Sequence, residues 1–77
     1  MKHVRVRLHG GLERYIGTTG EVDLRVDDHT SLAALQDLLG VPRGEAGLFV
    51  VGEKLLGGDA LVEDNSTVDI YPAFGGG

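Results

Sequence analysis

At 77 residues with no cysteine, the chain has the size of one domain near the lower limit for a single core, and neither a disulfide nor a Cys-ligated metal can staple it. Hydrophobic residues make up 42% of it, yet only two tyrosines and two phenylalanines are aromatic, so the expected core is aliphatic. A formal charge of −5, with seven Lys and Arg spread along the chain, argues against nucleic acid as a partner and suits a basic protein surface.

The first predicted element covers residues 2–9, where Val4, Val6 and Leu8 alternate with His3, Arg5, Arg7 and His9, the pattern of a half-buried strand. His3, His9 and the later His29 lack metal-ligand spacing and read as solvated side chains. Gly10-Gly11 breaks the strand, and Leu12, Tyr15 and Ile16 then recur at helical spacing for one turn against the core. A second alternation, Val22, Leu24 and Val26 against Glu21, Asp23 and Arg25, predicts a second strand. Antiparallel pairing would set its acidic side chains opposite the basic row of the first.

After residue 29 the period changes. Thr30 or Ser31 can cap a helix of about ten residues whose stripe is Leu32, Leu35, Leu38 and Leu39, with Gln36 on a neighbouring face. Gly40 and Pro42 stop it. The glycines at 40, 44 and 47 lack the Gly-Lys-Ser/Thr ending of a phosphate-cradling loop, so no nucleotide site is expected. Residues 48–51, Leu-Phe-Val-Val, form the longest apolar run and predict a central strand covered on both faces. This run is far too short to span a membrane or form a signal-peptide core, which predicts a soluble, cytoplasmic protein with no membrane partner.

Gly52-Glu53 reads as a tight turn, residues 54–56 as a short edge segment and Asp64-Asn65-Ser66 as another turn. Val68, Ile70 and Pro72 then alternate with Asp69, Tyr71 and Ala73 in a last strand. Pro72 removes an amide donor and is a natural stop for that strand. Beyond it Phe74 stands alone before Gly75, Gly76 and Gly77. Three residues without side chains can extend into a narrow channel of another enzyme, and the reactive group they present is the α-carboxylate of Gly77.

The order strand, strand, helix, strand, short strand, strand, ending in glycines, resembles the ubiquitin-like sulfur-carrier family, the small proteins of molybdopterin and thiamin biosynthesis. The likeness covers the whole chain. It is carried by Val4-Arg5-Val6-Arg7-Leu8 before a glycine turn, by Thr30-Ser31-Leu32-Ala33-Ala34-Leu35, and by Leu48-Phe49-Val50-Val51-Gly52. Its strongest carrier is Val68-Asp69-Ile70-Tyr71-Pro72-Ala73-Phe74 leading into Gly76-Gly77. Two departures are turn for turn, Gly52-Glu53 for a common Asn-Gly and Asp64-Asn65-Ser66-Thr67 for Asp-Gly-Asp; besides these, Pro72-Ala73 replaces a commoner Pro-Pro and Gly75 adds a third glycine next to the pair.

The resemblance implies an α+β, β-grasp fold, a mixed four- to five-stranded sheet packed on one main helix. Residues 1–74 would be the ubiquitin-like domain and 75–77 a flexible tail. It also implies that Gly77 is adenylated by an E1-like enzyme using ATP, and that a sulfur donor protein converts the adenylate to a thiocarboxylate. Phe74, Gly75 and Gly76 would contact the activating enzyme, with Phe74 exposed as an anchor at the root of the tail. On this reading the chain is a cosubstrate rather than an enzyme, a candidate small subunit of a synthase, with no cofactor or metal of its own. Two alternatives stand beside it. The run from Val68 to Phe74 also resembles ubiquitin-like interaction modules found ahead of nuclease-like domains, and the same activated terminus could be attached to protein lysines.

Overall fold

In a computed structural model, residues 1–17 and 19–73 are described. The first alternation forms strand β1 (Lys2–Leu8), with Val4, Val6 and Leu8 buried and His3, Arg5 and Arg7 exposed. A short 3₁₀ helix (Leu12–Tyr15) follows, with Leu12 inserted in the core and Tyr15 and Ile16 packed at its margin. Strand β2 (Glu21–Val26) returns antiparallel to β1. Helix α1 (Leu32–Leu38) comes next, then strands β3 (Ala46–Val51), β4 (Lys54–Leu56) and β5 (Ser66–Pro72). The sheet order is β2-β1-β5-β3-β4; β1 and β5 run parallel, and the other neighbours are antiparallel.

That order corrects the expectation of a central third strand. β5 holds the centre because both β1 and β3 pair with it, and Val68 and Ile70 are fully buried. In β3 only Phe49 is buried; Leu48 is 41% exposed, so the run at 48–51 is covered on one face and open on the other. A continuous apolar run does not distinguish two covered faces from one covered and one exposed.

Helix α1 has seven residues, shorter than expected, and its ends explain why so short a helix holds. Ser31 Oγ accepts from the Ala34 amide at 3.1 Å. The strap after β4 satisfies two further first-turn amides, Leu32 to the Ala60 carbonyl and Ala33 to that of Gly58, both at 2.9 Å. At the other end Gly40 adopts φ +76°, and the amides of Gly40 and Val41 bond back to the carbonyls of Asp37 and Gln36. Leu32 and Leu35 are buried, and Leu39 packs at the core margin. Leu38 is 67% exposed and so leaves the expected stripe.

Gln36 also departs from expectation. It is 3% exposed, and its Nε2 donates to the carbonyls of Val41 (3.3 Å) and Pro42 (3.0 Å), tying the helix to the loop behind it. Gly52 and Glu53, with φ of 55° and 69°, make the two-residue turn between β3 and β4; left-handed φ at both central positions matches the twist of paired strands.

Candidate functional site

Phe74, Gly75, Gly76 and Gly77, the expected site residues, lie outside the described residues. What is described is the platform from which they leave. β5 ends at Pro72, and the Ala73 amide donates to the Glu45 carbonyl at 3.1 Å. Pairing of β3 with β5 runs from Leu48↔Tyr71 to Ala46↔Pro72, leaving Gly47 as the extra residue of a bulge. Ala73 passes directly over Gly47. A β-carbon built there would overlap the Ala73 Cα and lie 2.9 Å from both its nitrogen and its Cβ.

Glu45 is itself fixed. Its carboxylate accepts from Tyr15 Oη at 2.6 Å and pairs with Arg14 at 2.7 Å, while Arg14 lies over the Tyr15 ring at 4.5 Å. The hydrogen bond to Glu45, aided by burial, raises the Tyr15 phenol above its ordinary pKa, so it stays a donor.

Beside this root the face of the sheet opposite α1 divides into two halves. One is apolar: Tyr71 lies beside Leu48 in register, and Val50 beside Leu55. Leu55 is 65% exposed and Tyr71 37%. Sequence reading missed this strip, since Leu48 and Val50 were assigned to a doubly covered strand and Leu55 to an edge with no face. The visible signal was the alternation of β5, which sends Tyr71 to the side opposite Ile70.

The other half is charged and largely self-neutralised. Arg5 makes a two-point contact with Asp23, at 3.0 and 3.2 Å, and reaches Glu21 at 3.5 Å. Arg7 sits opposite Glu21 in register but turns to the other side, to Asp69 on β5, at 2.8 and 3.0 Å. The expected facing of acidic and basic rows is realised in register at Arg5 and Arg7, but only Arg5 forms its ion pairs across it.

Asp69 also lies 2.7 Å from His9 Nε2; an ionised carboxylate has no proton to give, so the imidazole donates. The His9 ring stacks on Tyr71 with centroids 4.5 Å apart and planes 12° from parallel. His9 is therefore a half-buried structural side chain rather than the solvated one expected, whereas His3 and His29 are exposed. Burial pushes the Asp69 carboxyl upward, but hydrogen bonds from Arg7 and His9 outweigh it and hold the group below its usual range.

Nothing else among the described residues offers a reactive constellation. No group of three His, Asp or Glu side chains is placed to hold a metal, and no helix is long and apolar enough to cross a membrane. Surface depressions lined by Arg5, Glu21, Val22 and Asp23, and by the N-terminal residues with Arg25, Asp64 and Asn65, include no residue of the tail root.

No family model matches the chain, and no curated protein matches it in sequence. Solved structures do. The small archaeal modifier protein 1 of Haloferax volcanii superposes with a TM-score of 0.73 at 11% identity, over 94% of this chain and 98% of that one. A Pyrococcus furiosus protein described as molybdopterin converting factor subunit 1 gives 0.68 at 13%, over 94% and 98%. A second Haloferax volcanii protein, known from its solution structure, gives 0.68 at 20%, over 99% and 87%. The fold is the ubiquitin-like β-grasp. The expected mixed sheet on one main helix is therefore observed, with five strands.

Proposed function

We propose that the chain is a sulfur carrier whose reactive group is the Gly77 carboxylate, with residues 1–74 as the ubiquitin-like domain and 75–77 as the tail. The observation that carries this reading is where β5 ends: the central strand stops at Pro72 beside an open apolar strip, and Ala73 is followed by Phe74-Gly75-Gly76-Gly77. A tail leaving the most firmly held strand, next to a surface that a larger protein can cover, suits delivery of a terminus into another active site. The neighbour named as a molybdopterin converting factor subunit supports the same reading.

The chemistry requires activation. A carboxylate resists nucleophiles because it is anionic and oxide is a poor leaving group. In the proposed reaction a Gly77 carboxylate oxygen attacks the α-phosphorus of ATP in an E1-like enzyme, pyrophosphate leaves, and the product is a mixed anhydride. The outer sulfur of a donor protein's persulfide then displaces AMP to give an acyl disulfide, and a thiol attacks the donor's own sulfur, forming a new disulfide and releasing the Gly77 thiocarboxylate for transfer within a synthase to a cofactor precursor. Side chains at Gly75, Gly76 or Gly77 would obstruct threading, while Phe74 and the strip of Leu48, Val50, Leu55 and Tyr71 would grip the enzyme. The carrier supplies no general base, metal or cofactor.

Pyrophosphate release by the E1-like enzyme with ATP tests the activation step. It is expected to depend on this protein and to vanish when Gly76 and Gly77 are deleted; release that survives the deletion would defeat the reading. Phe74→Ala is expected to weaken binding to that enzyme about tenfold, or ~1.4 kcal/mol. A second reading, attachment to protein lysines, is favoured by the likeness to a modifier protein. It predicts an isopeptide adduct in place of a thiocarboxylate.

A further inference from the structure

We propose that Gly47 is a positioning residue for the activation step: the bulge it forms, together with Glu45, clamps Ala73 and sets the direction in which the C-terminal tail leaves the body. The proposal rests on the sulfur-carrier reading for its consequence, but the clamp itself can be tested without it.

Three contacts converge on Pro72 and Ala73. The Gly47 backbone fills the space directly beneath Ala73, which a side chain would occupy instead. The Glu45 carbonyl accepts the Ala73 amide at 3.1 Å, and Glu45 is held in turn by its amide to the Pro42 carbonyl (2.9 Å) and by Tyr15 and Arg14. On the other side a β-carbon at Gly10 would lie 2.6 Å from Pro72 Cδ. The strand end is thus held from two sides and from below.

Gly47 does not need glycine for its dihedral angles, since its φ is not left-handed; it needs glycine for space. The atoms it would strike are the Ala73 Cα and nitrogen and the Cβ fixed to that Cα, none of which can rotate away like the end of a flexible side chain. Gly47→Ala must therefore displace Ala73. Gly44 in the same loop provides the control: a β-carbon there meets nothing within 4 Å, and its φ is also not left-handed.

Aim matters because the reacting oxygen lies four residues beyond Ala73, and misplacement of about 1 Å can cost on the order of a hundredfold in rate. A tail whose root is fixed samples fewer directions before it enters the enzyme's channel. The proposed docking strip of Leu48, Val50, Leu55 and Tyr71 contributes none of the three atoms nearest a β-carbon at Gly47. The loss should therefore fall on kcat rather than KM.

The experiment compares wild type, Gly44→Ala, Gly47→Ala and Glu45→Ala by amide hydrogen exchange and by pyrophosphate release with the E1-like enzyme and ATP. In Gly47→Ala the Ala73 amide should exchange ~tenfold faster or more, while the core amides of Val6 and Ile70 exchange as in wild type. Its kcat should fall about tenfold with KM within about twofold of wild type. Glu45→Ala should move both readouts in the same direction by less, and serves in place of Gly47→Ala if that variant fails to fold; Gly44→Ala should move neither. Unchanged Ala73 exchange overturns the clamp, and lost protection with unchanged kcat overturns its role in aiming the tail. A wild-type protein that is not adenylated at all instead defeats the sulfur-carrier reading, and the clamp then stands or falls on exchange alone.

Discussion

The two faces of the sheet are built from alternate residues of the same strands, yet they divide stability from recognition. On the face under α1, Val4, Val6, Val68 and Ile70 are wholly buried with Leu32 and Leu35 against them, so every methyl group there supports the fold. On the opposite face one half is closed by Arg5–Asp23 and Arg7–Asp69–His9, while the other leaves Leu48, Val50, Leu55 and Tyr71 partly or largely open beside the tail root. A 77-residue domain has little apolar surface to spare, and the proposed function assigns this exposed strip to the activating enzyme.

Substitutions should separate the faces. The largest effect is expected from Leu35→Ala, since truncating a fully buried leucine costs ~2–5 kcal/mol, much of the ~5–15 kcal/mol that holds a domain. A urea melt should show a marked fall in midpoint. Gln36→Ala comes next, and here the structure reverses the expectation drawn from helix periodicity. Losing Nε2 removes the partner of the Val41 and Pro42 carbonyls, so a cost of ~1–3 kcal/mol is expected rather than a neutral change. An unchanged urea midpoint would show that water replaces the amide.

On the open face the outcome should invert. Tyr71→Ala is expected to lower stability by less than ~1 kcal/mol but to weaken binding to the activating enzyme about tenfold, ~1.4 kcal/mol. Titration calorimetry and a urea melt on the same variant would expose a mistaken division of the faces if stability fell and affinity did not.

The smallest effect concerns acid. Because the folded Asp69 carboxyl is held below its unfolded value, the unfolded chain binds more protons as pH falls. Its contribution is fully present above the unfolded carboxylate pKa of about 3.9 and is lost as pH drops through the lower folded value. Asp69→Asn should therefore lower the neutral plateau, read in urea melts at pH 7, and change stability below the folded carboxyl's pKa little, which flattens the acid limb between them.

The boundaries of most elements were legible because local chemistry determines them: alternation for β1, β2 and β5, capping and glycine signals for α1, and Gly52-Glu53 for the hairpin. Pairing was not. The parallel contact between Val6 and Val68 joins residues far apart in the chain, and no local pattern reveals which strand lies between two others. The same gap hid the apolar strip, since Tyr71 beside Leu48 and Val50 beside Leu55 become one surface only when the register is known. Gln36 was misplaced because polarity suggested a solvent face, whereas two loop carbonyls compensate its burial. Of the proposed site, the terminal glycines are read from chemistry alone and lie outside the described residues. The clamp at Gly47 was not legible, because a glycine kept for space looks in sequence like one kept for a turn.

The most direct test of the central claim is the intact mass of the protein after incubation with the E1-like enzyme, ATP and a sulfur donor. The account predicts a gain equal to one sulfur replacing one oxygen, located at Gly77. It also predicts no gain in a chain lacking Gly76 and Gly77, whose thermal midpoint is expected to stay at the wild-type value because the two glycines have no side chains to bury. Equal sulfur incorporation in the truncated chain, or none in the intact one, would contradict it.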